Sequence, residues 1–306
     1  VKLVTRKDRL QGGKVIFVFL DGIGMGPADD SNPLWIADMG NLRRLLGCPL
    51  VKGEIVDRPN LLLKAIDPSL GVAGPPQSAT GQTALLTGVN AARILGKHLA
   101  RPNDLIKKII EEKNILKRAV ERGYKSTFAN AYTPSYFRLV EKGKLRHSAT
   151  TLSVISAGLP FRSLAELEDG KAIYWDITNY YLSKYLGFPI PIIEPEIAGQ
   201  RLANLALDYD LVLYESFLPD LIGHSRDLER SLKVLETLDR FFAGLFDKVG
   251  PSVTVVISSD HGNIEEMSGR HTTNPVPLLA VGCGASAFRK ALSITDVAAG
   301  IAELLV

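Results

Sequence analysis

Asp260 and His261 stand side by side in SSDHGN, directly after the apolar run Val253–Ile257. Asp21 follows a second apolar run, KVIFVFL, and is itself followed by Gly-Ile-Gly. Asp220 and His224 occur as DLIGH, a spacing that puts both on one helical face or around one turn of a loop. His271 sits in a polar loop just ahead of the apolar stretch 278–282. The chain has five histidines, and three of them, His224, His261 and His271, fall near predicted strand ends. Taken singly, each residue has a plain structural use: a cap, a turn residue or a solvated loop histidine. Together, three carboxylates and three imidazoles supply six N/O ligands, which suits two divalent metal ions.

A nucleophile for such a centre is available in GPPQSATGQTALLTG (74–88). Gly-Pro-Pro stiffens the loop, and Ser78 or Thr80 then opens a helix-like run. A hydroxyl there meets free N–H groups and the positive end of the helix dipole, which favour an anion. The alternative use of either hydroxyl is to cap the helix. Two metals about 3.5–4 Å apart can clamp the attacking and leaving oxygens of a phosphoryl transfer. A metal beside the hydroxyl also favours its deprotonated form. Arg93, Lys97, His98 and Arg101 form a basic stretch downstream, either a solvated loop or an edge that contacts the substrate phosphate.

These groups need a scaffold that delivers strand ends to one place. The runs 14–20 and 253–257 lack polar alternation and read as strands buried on both faces, as in a parallel sheet. Further strands are expected over 61–65, 124–131, 172–176, 210–215 and 278–282. Helices are expected over 31–46 with Pro33 in the first turn, 103–122 capped by Asn103, 150–157, 178–186, 195–207, 226–249 and 293–305 with Thr295 as cap. Another short helix opens at Thr133-Pro134. Strands alternating with helices predict an α/β fold with ligands at the carboxyl ends of the strands. Residues 98–204 differ in character. They hold an aromatic cluster (Tyr132, Tyr136, Tyr174, Trp175, Tyr180, Tyr181, Tyr185) and a proline-rich connector, and read as an inserted cap.

The chain has 306 residues, 46% of them hydrophobic and 23% charged, enough for a full core. A net charge of +3 without a long Lys/Arg block argues against a nucleic-acid partner. No run reaches the ~20 apolar residues of a membrane span. The basic opening, VKLVTRKDRLQGG, has no apolar signal-peptide core after it. Cys48 and Cys283 lie far apart and read as small buried residues of a reduced compartment. A cytoplasmic protein is the expectation.

Taken in order, FLDGIG, QSATGQ, DLIGH, SDHGN and HTTNPVP resemble the motifs of the alkaline phosphatase superfamily. Within it they are most similar to the branch of cofactor-independent phosphoglycerate mutase and phosphopentomutase. The resemblance covers about 14–97 and 205–306. It implies an alkaline-phosphatase-like, mostly parallel sheet sandwiched by helices. Its catalytic core would be discontinuous (1–97 and 205–306), with a smaller α+β cap inserted at 98–204. It implies one metal held by Asp21, Ser78, Asp260 and His261, and a second held by Asp220, His224 and His271. Ser78 aligns with the branch's nucleophile, with Thr80 the alternative. Mn²⁺ is the branch's typical metal, and zinc and magnesium also serve in the superfamily.

The chain departs from the mutases in two places. Their nucleophile loop resembles Asn-Ser-Glu-x-Gly-His, where this chain has Gln77-Ser78-Ala79-Thr80-Gly81-Gln82. Their large insert is also replaced here by a cap closer in size to that of phosphopentomutase. The expectation is a two-metal phosphohydrolase or phosphomutase that acts on a small phosphate monoester through a phosphoserine. The alternatives are a phosphodiester or phosphonate hydrolase of the same superfamily, or a non-catalytic metal-stabilised binding protein. A sulfatase is disfavoured, because Ser78 is not in a Cys/Ser-x-Pro-x-Arg context. Oligomeric state is not legible.

Overall fold

The computed structural model describes residues 13–305, so the basic opening stretch falls almost wholly outside the described residues. Seven strands form one sheet: β1 (Lys14–Leu20), β2 (Val56–Arg58), β3 (Leu61–Ile66), β4 (Ser126–Phe128), β5 (Leu211–Ser216), β6 (Val253–Ser258) and β7 (Val276–Val281). Their order is β2-β3-β7-β6-β1-β5-β4. The strands β4, β5, β1 and β6 are mutually parallel, while β7 runs antiparallel to both β6 and β3. The expected mostly parallel α/β sheet is therefore present.

Period-two alternation explains why β1 is apolar throughout. Ile16, Val18 and Leu20 point into one core, and Val15, Phe17 and Phe19 into the other. The first core is closed by the helices Gly40–Leu46, Pro195–Asp208 and Leu228–Lys248. The second is closed by Ser78–Thr87, Asp104–Lys113, Ala149–Ser156 and Thr295–Leu304. Helices thus cover both faces of the sheet, and every parallel strand delivers its carboxyl end to the same edge.

Several expected elements differ. The helix expected over 31–46 is two helices, Pro33–Ile36 and Gly40–Leu46. The Asp239 carboxylate, reaching from the helix Leu228–Lys248, accepts the N–H groups of Asn41 and Leu42 and so caps the second. The helix expected over 103–122 divides at Asn114, whose side chain accepts from Lys117 N and starts a new helix, Ile115–Glu121. The stretch 172–176 is not a strand: Ile173 makes one isolated bridge to Asn130, and Asp176 turns the chain by accepting from Asn179 and Tyr181. Thr295 is the first residue of the last helix and not its cap; the cap position is Ile294, with no side-chain cap bond, and the Asp296 carboxylate ties back the preceding Leu292 N and Ser293 N. Cys48 is half-buried and Cys283 exposed, both free thiols, so neither is the buried residue expected. Among the described residues no helix is long and apolar enough to cross a membrane.

The segment 98–204 is joined closely to the sheet. Strand β4 pairs with β5, and the helices Asp104–Lys113 and Ala149–Ser156 share a core with Ser78–Thr87. An apolar cluster of its own, with Ala131, Leu167, Ala172, Tyr174, Leu182 and Ile190, occupies the middle of the segment.

Candidate metal centre

Strands β6, β1 and β5 are parallel neighbours, so the residues that follow them meet at one edge. Asp21 follows β1, Asp260 and His261 follow β6, and the helix Leu218–Gly223 after β5 carries Asp220 with His224 at its end. Because β7 is antiparallel to β6, the loop leading into it starts at this same edge, and that brings in His271. Strand β3 runs antiparallel to β7, so its carboxyl end lies here too and leads through a loop to Ser78.

The ligand atoms form two groups, each compact enough to hold one ion: Asp21, Asp260 and His261, all buried, and Asp220, His224 and His271, nearer the surface. The groups touch, since the rings of His261 and His271 stack with centroids 3.7 Å apart. His261 Nε2 lies 3.1 Å from Asp21 Oδ1 and 3.6 Å from Asp260 Oδ2. Asp220 faces His224 Nε2 at 3.3 Å and His271 Nε2 at 3.5 Å. The opposite ring nitrogen of each histidine points at a backbone carbonyl: Gly269 O for His224 (3.0 Å), Pro76 O for His271 (2.9 Å) and Gly262 O for His261 (3.3 Å). A carbonyl can only accept, so it holds the proton on Nδ1 and leaves Nε2 free to ligate.

The buried group fits a cation on independent grounds. Asp21 Oδ1 and both carboxylate oxygens of Asp260 are buried without any hydrogen bond. Burial first, and the neighbouring Asp21 charge second, push the Asp260 carboxyl well above its ordinary range. Burial opposes charge on His261, but Asp260 and Asp21 together outweigh it and lift that imidazole to about 10. His271 moves the other way, lowered by burial and then by His261. Such a cluster of unpaired buried carboxylate oxygens is costly unless positive charge meets it.

Ser78 is the first residue of the helix Ser78–Thr87, and its Oγ lies 3.1 Å from His261 Nε2. Thr80 is fully buried; its hydroxyl donates to Gln77 O and accepts from Leu99 N. Neither hydroxyl caps the helix. Gly81 lets the helix approach the centre, because a Cβ there would lie 2.8 Å from the Asp260 Cβ. Gln82, where the mutase loop has histidine, donates to Asp21 Oδ2 at 3.3 Å.

A cavity of about 420 Å³ opens onto both groups through Asp21, Asp220 and His224. Its walls include Tyr132, Tyr136 and Trp175 from the aromatic cluster, together with Phe217, Thr151 and Arg146. Arg93, Lys97, His98 and Arg101 are not among its lining residues. His98 instead lies 3.3 Å from Val72 O, and the other three are exposed.

Sequence reasoning missed Arg146, Glu215 and Asn263. Glu215 is buried at the end of β5 and accepts from Thr150 Oγ1 at 3.0 Å; burial, then Asp21, raises its carboxyl to about 8. Its signal was a charged residue inside the apolar run LVLYES. Asn263 donates to Asp220 Oδ1 at 2.7 Å, which orients that ligand. Arg146 had no signal, being one exposed arginine among many basic residues.

Comparison with known proteins finds relatives for the C-terminal third of the chain and for its fold. A family model described as "Metalloenzyme superfamily" matches residues 195–306. The 2,3-bisphosphoglycerate-independent phosphoglycerate mutase of Desulforudis audaxviator is 36% identical over 119 residues, 36% of this chain and 23% of that protein. The enzyme of the same name from Clostridium botulinum is 33% identical over 120 residues, 36% of this chain and 24% of that one. The chain thus spans about a quarter of the length of these relatives. Among solved structures, the PH0037 protein of Pyrococcus horikoshii has a TM-score of 0.57 at 16% identity, over 97% of both chains. A cold-active alkaline phosphatase of Shewanella sp. has a TM-score of 0.57 at 14% identity, over 95% of this chain and 99% of that one.

Proposed function

We propose that this chain, whose residues 195–306 match the metalloenzyme superfamily model, is an alkaline-phosphatase-like enzyme that transfers the phosphoryl group of a small phosphate monoester to Ser78. The observation that carries this reading is the position of Ser78 Oγ, at a helix start and 3.1 Å from a histidine shared with two buried carboxylates. Asp21, Asp260 and His261, with Ser78, would hold one divalent ion, and Asp220, His224 and His271 the second. When bound, the ions neutralise the phosphate and lower the pKa of the Ser78 hydroxyl. Carboxylates and imidazoles suit Mn²⁺, Zn²⁺ or Mg²⁺, and Mn²⁺ is the first choice by resemblance.

In the first step Ser78 Oγ gives up its proton and bonds to phosphorus as the bond to the alcohol oxygen breaks, and the departing alcohol oxygen takes up a proton. In the second, water or another hydroxyl of the retained alcohol gives up its proton and attacks phosphorus, the bond to Ser78 breaks, and Ser78 Oγ takes up a proton. Water gives a hydrolase and the retained alcohol a mutase. Residues around the cluster 131–190 serve as the cap over the site, since Tyr132, Tyr136 and Trp175 reach the cavity wall. Arg146 is the cation on that wall among the described residues and takes the place proposed from sequence for Arg93, Lys97, His98 and Arg101. As the single Arg or Lys among the residues lining the cavity, Arg146 offers one partner for the substrate phosphate, which favours the ester of an uncharged alcohol over a phosphoglycerate, whose own carboxylate would need another partner.

The test is a panel of phosphoglycerates, pentose phosphates and an aryl phosphate, each assayed with Mn²⁺ or Zn²⁺ for free phosphate and for isomerised product. Phosphate release identifies a hydrolase, and isomerisation without release a mutase. No turnover of any ester by metal-loaded protein would reject the proposal.

A further inference from the structure

Glu265 carries no assigned role, yet its side chain joins the loops that hold both ligand groups. It is 1% exposed. Its Oε2 accepts from Gly24 N at 3.0 Å and from Asn263 N at 2.8 Å. Its Oε1 accepts from Thr272 Oγ1 and, at 3.1 Å, from Asn274 Nδ2. Four donors fill the four acceptor positions of a carboxylate. Gly24 belongs to the loop of Asp21, Asn263 to the loop of Asp260 and His261, and Thr272 with Asn274 to the loop of His271.

The connection extends to the remaining ligands. Asn263, held by Glu265 through its backbone, donates from its side chain to Asp220 Oδ1 at 2.7 Å. The same loops also meet through backbone bonds, Ile264 N to Gly22 O and Thr272 N to Gly262 O. Space at the junction is tight: a Cβ on Gly24 or Gly262 would lie 2.2 or 2.1 Å from Glu265 Oε1. The motif glycines therefore make room for this carboxylate.

We infer that Glu265 is a positioning residue that sets the two ligand groups in register with each other, an inference that rests on the two-metal reading above. The physical requirement is specific. Each loop end presents a donor, so the hub must be acceptor-only, and an ionised carboxylate is acceptor-only. Glutamine in the same place would turn an NH₂ group toward donors at one end of the hub. The groups would then separate, and His261 and His271 would lose their stacked placement.

The experiment uses the full chain, with Mn²⁺ alone as probe. Binding is read by equilibrium dialysis and by low-temperature electron paramagnetic resonance, in which two adjacent Mn²⁺ ions give an exchange-coupled spectrum. Glu265→Gln is expected to bind Mn²⁺ about 10–100-fold more weakly, the range for lost outer partners of metal ligands, and to lose the coupled spectrum. Thr272→Val, which removes one donor and keeps the shape, is expected to weaken binding less and to keep the coupling. Urea midpoints of the ion-free proteins measure folding separately.

A Glu265→Gln protein with wild-type Mn²⁺ affinity and coupled spectrum overturns the inference even if its urea midpoint falls. Should that variant not fold, Thr272→Val decides, and unchanged Mn²⁺ affinity there overturns it equally. A wild-type chain that binds no Mn²⁺ pair removes the two-metal reading and this inference with it. A paired wild type with an unaffected variant removes this inference alone.

Discussion

Ser78 Oγ lies 3.1 Å from His261 Nε2, while the Thr80 hydroxyl two residues on is fully buried and bonded to Gln77 O. The structure thus separates two hydroxyls that the sequence leaves side by side, and the separation gives opposite expectations for their removal. Ser78→Ala should retain metal and form no phosphoenzyme when incubated with a labelled ester. Thr80→Ala should still be labelled, but should lose about 1–3 kcal/mol of stability, because Leu99 N loses the Thr80 hydroxyl as acceptor while Gln77 O keeps Gly81 N. Labelling of the Ser78→Ala protein would reassign the nucleophile.

Asp260→Asn should act in opposite directions with and without metal. Asp260 presents two unbonded buried oxygens beside Asp21. In chelator, replacing it with a neutral amide removes the cost of burying a carboxyl, to which Asp21 adds, so the melting temperature should rise above wild type. With Mn²⁺ present the order should reverse, since wild type gains about 2.7 kcal/mol for one site at a hundred times its dissociation constant. Melting curves in chelator and in Mn²⁺ check this; the same order in both would argue against a metal role for Asp260.

Asp176 predicts a pH dependence away from the centre. Burial raises its carboxyl from 3.8 to about 6, against the lowering effect of the N–H bonds from Tyr181 and Asn179. The folded chain therefore keeps a proton that the unfolded chain has lost, and stability falls as pH rises from about 4 to about 6. At 1.36 kcal/mol per unit the full effect is on the order of 2–3 kcal/mol. Asp176→Asn removes it, so the stability of wild type relative to the variant should decline across that window and then level. Urea midpoints of both proteins at pH 4 to 7 test this, and a flat difference would contradict the buried-carboxyl account.

The crossing of the helices Pro195–Asp208 and Leu228–Lys248 depends on backbone contact. A Cβ on Gly199 would lie 2.1 Å from Phe241 O, and one on Gly244 would lie 2.1 Å from Glu196 O. Gly199→Ala should therefore cost about 1–3 kcal/mol or more by overpacking. Gly250→Ala, with nothing within 4 Å, should stay within about 0.5 kcal/mol of wild type. Urea unfolding of the two variants makes the comparison.

The strands that carry the centre were legible because β1, β5 and β6 bury both faces, which leaves long apolar runs that end at a carboxylate or Ser. That these carboxylates and imidazoles come together was legible for a related reason: few histidines exist in the chain, and three follow strand or loop boundaries. What stayed hidden depends on contacts between distant residues. Asp239 capping the helix that starts at Gly40, and Asn114 restarting a helix in a stretch of good helix formers, break elements that periodicity runs together. The basic stretch 93–101 drew attention by charge alone, yet Arg146 reaches the cavity wall, because the path of 131–194 over the sheet edge is set by tertiary packing. Glu265 was invisible for the same reason: its partners come from three loops separated by up to 250 positions.

The central claim is that the two ligand groups hold two divalent ions, one each. The most direct measurement is Mn²⁺ stoichiometry by equilibrium dialysis for wild type, for His261→Ala in the buried group and for His271→Ala in the outer group. The account predicts two ions per wild-type chain and about one tight ion in each variant, with the remaining ion at the intact group. Two tightly bound ions in both variants, or none in wild type, would contradict it.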